Sequence, residues 1–167
     1  MRVLKSSNKS YWLSNMPKPD CPLCQNPGGV VLWQHPSMRV IDACDPLYPG
    51  FTRVVWKAHV KEMTDLTPSD QLLLMQGVLM VESVQRSMLK PDKINLAALG
   101  NVVPHLHWHI IPRWCDDAHF PQPVWASQPQ ADAASKQKQA QRRTKTRALL
   151  DAYHAALTQQ LNATIAR

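Results

Sequence analysis

Apolar and β-branched residues gather in short runs early in the chain: Gly29-Val30-Val31-Leu32-Trp33, Met38-Arg39-Val40-Ile41 and Phe51-Thr52-Arg53-Val54-Val55-Trp56. Pro, Gly and Asp separate the runs, as they do at strand boundaries, so the pattern predicts a three-stranded antiparallel meander. Thr67-Pro68-Ser69-Asp70 then supplies a cap and a helix-start proline. Apolar residues follow at positions 74, 75, 78, 79, 81, 84 and 88 until Lys90-Pro91, which predicts a helix of about five turns. Lys93 to Leu99 and His105 to Ile111 read as two further strands around a turn at Gly100-Asn101, completing a sheet of about five.

The Pro- and Gln-rich stretch from Phe120 to Gln130 reads as a loop. Beyond Ala131, Leu149, Leu150, Tyr153, Leu157, Leu161 and Ile165 recur at helical spacing, predicting one C-terminal amphipathic helix. Its first part carries Lys136, Lys138, Arg142, Arg143, Lys145 and Arg147 without an acid. The plain reading is a solvated helix face, and the sharper one is contact with RNA or an acidic partner.

At 167 residues the chain fits one domain with an ordinary core. Met1 to Met16 lack the continuous apolar region of a secretory signal, and Leu72 to Val84 falls short of a membrane span, so a soluble, cytoplasmic protein with no membrane partner is expected. In that compartment four cysteines point to metal binding or burial rather than disulfides. A net charge of +7 favours phosphate-bearing partners without identifying a site.

His105-Leu106-His107-Trp108-His109 carries the chemistry. Strand side chains alternate faces, so the three histidines are expected on one face and Leu106, Trp108 and Ile110 on the other. Such a trio can hold one metal together. It can also divide labour, one ring attacking while its neighbours fix a tautomer and assist the leaving group. Spacing does not choose between these.

His105-Leu106-His107-Trp108-His109-Ile110-Ile111-Pro112-Arg113 resembles the signature of the histidine-triad (HIT) family. Asp45-Pro46-Leu47-Tyr48-Pro49-Gly50, Val54-Val55-Trp56-Lys57-Ala58-His59 and Asp65-Leu66 are similar to the family's turn, second hairpin and lysine-any-histidine segment. The likeness spans residues 20–125, between an N-terminal arm (1–19) and a basic, helical extension (126–167). It implies an α+β domain with a five-stranded antiparallel sheet and two main helices, usually paired as a two-fold homodimer.

The implied activity is nucleotidyl hydrolysis or transfer in two steps. His107 would attack the α-phosphate of a nucleotide substrate, and His109 would sit beside the transferring phosphate. Asp45 would contact the ribose, and Asn95 and Gly100 would shape the phosphate pocket. A dinucleoside polyphosphate is the first expected substrate and a nucleoside phosphoramidate the second. A non-catalytic nucleotide-binding module and a metal-dependent hydrolase with all three histidines on the metal are the rival readings.

Two departures stand out: Val102-Val103-Pro104 replaces the family's hydroxyl residue before the first histidine, and Phe51 replaces a histidine after the Pro-Gly turn. Cys21-Pro22-Leu23-Cys24 alone supplies half of a tetrahedral zinc site. The resemblance completes it with His59 and His105, giving a structural zinc that takes no part in the chemistry. Cys44 and Cys115 read as packing residues. His35, His119 and His154 read as surface or structural, with His119 a candidate for the pocket edge.

Overall fold

The computed structural model describes residues 16–165, so most of the N-terminal arm lies outside the described residues. A short helix, α1 (Pro22–Gln25), precedes the meander β1 (Val30–Gln34), β2 (Met38–Asp42) and β3 (Thr52–Trp56). The long helix α2 (Pro68–Met88) leads to β4 (Lys93–Ala97) and β5 (His107–Arg113), and two helices follow, α3 (Ala133–Arg147) and α4 (Leu150–Thr164). The five strands form one antiparallel sheet in the order β1-β2-β3-β5-β4.

The meander and α2 follow the sequence pattern. The Thr67 side chain accepts from the Asp70 N–H, and Pro68 starts the helix where its missing donor costs nothing. One face of α2 lays Leu74, Val78, Val81 and Val84 on Met38, Val40, Val54, Trp56 and Ile110 of the sheet. Each such side chain contributes about 1.5–3 kcal/mol by leaving water. Gly77 sets the approach of helix to sheet: a Cβ there would lie 3.2 Å from the Met38 sulfur. Buried Gln85 reaches from α2 to the carbonyls of Gly50 and Ile110 at 2.8 and 3.1 Å, satisfying acceptors that face the core.

The C-terminal segment is two helices rather than one. The apolar spacing begins only at Leu149, so α4 can bury Tyr153, Leu157 and Leu161 in the main core. α3 has no such stripe, only Thr146 being buried along its length, and the chain turns at Ala148-Leu149 between them. Four polar contacts tie α4 to the sheet: Trp33 to Asn162, Thr158 to the Leu32 carbonyl, Thr52 to Tyr153, and His154 to Asp42. No helix among the described residues is long and apolar enough to cross a membrane.

Candidate active site

With even-numbered residues of β3 and β5 turned toward the helices, the odd-numbered ones share the opposite face. Arg53 pairs with His109 across the β3–β5 ladder, and Val55 with His107. The expected alternation holds for His107 and His109, while Trp108 packs against the helical core. His105 falls just before the strand rather than in it. Pro104 interrupts the ladder and the His105 N–H donates to the Val103 carbonyl, which frees the His105 ring to turn aside.

The His105 backbone carbonyl accepts from Nδ1 of His107 at 2.6 Å. That bond fixes the proton on Nδ1 and leaves the Nε2 lone pair of His107 free. Burial pulls the His107 pKa below the ordinary imidazole value, against the opposing influence of the carbonyl, so the ring is neutral at neutral pH. His109 is lowered further, to about 3, by burial, then by His107 and Arg53. Its Nδ1 is buried without a hydrogen-bond partner. His107, Phe51 and Trp125 surround the ring at centroid distances of 4.6, 5.5 and 5.3 Å. Beside His107 opens a cleft of about 210 Å³ lined by Lys61, Thr64, Gly100 and His105.

The remaining anticipated residues divide. Gly100 borders the cleft in a left-handed conformation, φ 74°, that suits glycine. The Asp45 carboxylate accepts from the N–H groups of Leu47 and Tyr48, shaping the turn, and attracts Arg53. The Asn95 Oδ1 accepts from Arg113 at 2.7 Å.

Arg113 is buried and also bonds both oxygens of Asp117, at 2.6 and 3.0 Å, and the Gln122 carbonyl at 2.9 Å. Burial raises the Asp117 carboxyl, but the Arg113 bonds and charge together with the His119 and Phe120 N–H groups hold it below its ordinary value. Buried His119 meets the Tyr48 hydroxyl in the same network. Cys44 and Cys115 are exposed, not packed: the Cys44 N–H donates to the Asp42 carboxylate two residues back, and the Cys115 N–H to the Asp92 carboxylate just before β4.

Arg53 was not among the expected site residues. Its guanidinium lies 5.2 Å from the Phe51 ring centroid, its Nη1 reaches the Gly28 carbonyl at 3.5 Å, and its Nε is buried without a partner. The available signal was a cation at an odd position of β3, whose even positions are core.

Cys21, Cys24, His59 and His105 converge, their ligand atoms all within 4.8 Å of one another, and can hold a metal ion. Cys24 Sγ is 3.3 Å from His59 Nδ1, and both sulfurs are 3.4 Å from His105 Nδ1. Tetrahedral zinc with bonds of about 2.3 Å to sulfur and 2.0 Å to nitrogen needs such edges of roughly 3.5 Å. The second ring nitrogen of His105 donates to the Trp56 carbonyl at 2.7 Å, the outer bond that a metal-bound histidine commonly makes. Both nitrogens of His105 are therefore engaged away from His107 and His109, so the three histidines do not form one open metal centre.

The profile of the HIT domain matches residues 25–115, and the chain belongs to the HIT family. It is 33% identical over 81 residues to "AP-4-A phosphorylase" of Mycobacterium tuberculosis (strain ATCC 25618 / H37Rv), a match covering 45% of this chain and 42% of that protein. It is 34% identical over 73 residues to "Bis(5'-nucleosyl)-tetraphosphatase [asymmetrical]" of Schizosaccharomyces pombe, covering 41% of this chain and 40% of that one. The chain thus spans about two fifths of the length of these curated relatives. A crystal structure of a histidine triad protein from Sinorhizobium meliloti 1021 superposes with a TM-score of 0.56 at 28% identity, over 72% of this chain and 90% of that one. One from Marinobacter aquaeolei VT8 gives 0.55 at 29%, over 74% and 89%.

Proposed function

We propose that the protein is a nucleotidyl hydrolase or transferase that acts on a dinucleoside polyphosphate through a covalent nucleotidyl-histidine. The observation that carries this reading is the 2.6 Å bond from His107 Nδ1 to the His105 carbonyl, which presents an unprotonated Nε2. That nitrogen attacks the α-phosphorus: the N–P bond forms, the P–O bond to the leaving phosphate breaks, and the leaving oxygen takes the electron pair. Water then attacks phosphorus, the N–P bond breaks with its electrons returning to Nε2, and the proton of the attacking water passes to solvent.

His109, neutral by burial, offers an Nε2–H hydrogen bond to a phosphate oxygen rather than a transferable proton. Arg53 supplies positive charge on the same face. The two curated relatives carry names of dinucleoside tetraphosphate chemistry, which supports this substrate class over a phosphoramidate. We further infer that Cys21, Cys24, His59 and His105 hold a structural zinc that ties the N-terminal turn to the strand bearing His107.

The test is to incubate the protein with diadenosine tetraphosphate and with adenosine 5′-phosphoramidate, following AMP release and acid-labile AMP bound to protein. Wild type releases AMP and forms the adduct, and His107→Gly does neither. Release of AMP by the variant at the wild-type rate sinks the mechanism. Nucleotide binding without turnover in wild type supports the non-catalytic module instead.

A further inference from the structure

The loop after β5 is built to hold one residue against His109. Arg113 grips its middle through the Gln122 carbonyl, and Val124 packs into the cluster of Tyr48, Phe51 and Ile111. The Ala126 N–H closes a turn on the Pro123 carbonyl at 3.0 Å, so Val124 faces inward and the next residue, Trp125, outward. The Trp125 ring meets His109 at 5.3 Å and 76°, yet the residue remains 50% exposed. An indole that only propped His109 would gain by burying the rest of its surface. Here, half of a large apolar ring is held open at the rim of the site by a buried ionic network.

We infer that Trp125 is the stacking platform for the base of the leaving nucleotide. The inference rests on the covalent reading above. In-line displacement sets the leaving oxygen opposite His107 Nε2; on this reading the leaving chain runs out past the His109 ring, which stands between His107, at 4.6 Å, and Trp125, at 5.3 Å. Whatever follows that phosphate passes the outer side of His109, where Trp125 lies. An aromatic face accepts any base through its π surface, so the platform selects substrates with a second nucleoside over those without one and tolerates either purine or pyrimidine there.

The test measures, on the full chain, the ratio of kcat/KM for diadenosine tetraphosphate to that for adenosine 5′-phosphoramidate, which has no second base. In Trp125→Ala the ratio falls about tenfold, and Trp125→Phe, which keeps a ring, restores most of it. An unchanged ratio, whether both rates fall together or neither falls, overturns the inference and leaves Trp125 as packing for His109. A lowered ratio that Trp125→Phe does not restore also overturns it. Wild-type protein that releases AMP from neither substrate overturns the covalent reading, and this inference with it.

Discussion

Nδ1 of His107 donates to the backbone carbonyl of His105, two residues earlier in the same chain. The orientation of the nucleophile therefore comes from the main chain, and no carboxylate is needed to set the tautomer. His107→Gly should lower AMP release by at least a thousandfold, as expected roughly for loss of an attacking group. Circular dichroism and Tm should stay close to wild type, because among the described residues the ring's hydrogen bond goes to a backbone carbonyl and no side chain bonds to it. Small imidazoles added to the variant should restore part of the rate.

Arg53 stands across the ladder from His109, two residues beyond Phe51 and on the same face. Phe51 lacks the charge a histidine could bring there, and Arg53 is a cation on that face within reach of His109's neighbourhood. Arg53→Leu should reduce kcat/KM about tenfold or more, in line with a charged hydrogen bond, with KM carrying most of the change. Steady-state kinetics decide it; an unchanged KM would remove Arg53 from substrate binding.

His109 is neutral in the fold, with a pKa of about 3, and takes the ordinary value of about 6.5 when unfolded. Between those values the unfolded chain binds the extra proton, so stability is full above about pH 6.5 and falls as pH drops toward 3. One such group contributes a slope of up to about 1.4 kcal/mol per pH unit. Urea midpoints at pH 7 and pH 5 should show the loss, and His109→Gln should reduce the slope.

Cys21, Cys24, His59 and His105 should carry about one zinc per chain by elemental analysis. Cys24→Ser, or a strong chelator, should remove it and lower Tm by roughly 5–15 °C, since metal affinity appears as folding free energy. A purified protein with no bound metal and an unchanged Tm in the serine variant would leave the cluster as reduced thiols beside two imidazoles.

Arg113→Met would strip Asp117 of its buried partner and loosen the loop that presents Trp125. The expected cost is roughly 3–5 kcal/mol, a fall in Tm of about 10 °C. Adding Asp117→Leu should recover part of it, because the uncompensated charge is then gone.

Much of this arrangement was legible in the residues. Alternation predicted the face of His107 and His109, the capped helix after Thr67 formed where expected, and the residues proposed for zinc converge. Other features depend on register or on contacts distant in sequence. Arg53 reaches the site only because β3 pairs with β5, not with β4, which no local pattern encodes. The bond from Arg113 to Asn95 likewise crosses the β4–β5 ladder, and no local pattern announces it. The break at Ala148-Leu149 has neither proline nor glycine to mark it; only the late start of the apolar stripe hints at it. Cys44 and Cys115 mislead because cysteine is usually buried, whereas here both stand exposed with their N–H groups held by Asp42 and Asp92.

The stretch that kinship recognises stops at residue 115, but the physical folding unit does not. Tyr153, Leu157 and Leu161 are fully buried against α2 and the sheet, and Tyr153 hydrogen-bonds Thr52 of β3. A shortened gene cut at the recognisable limit would strip α4 from α2 and β1 and expose the apolar side chains it covers. Anyone trimming this protein for expression, fusion or library selection should keep the chain through Ile165.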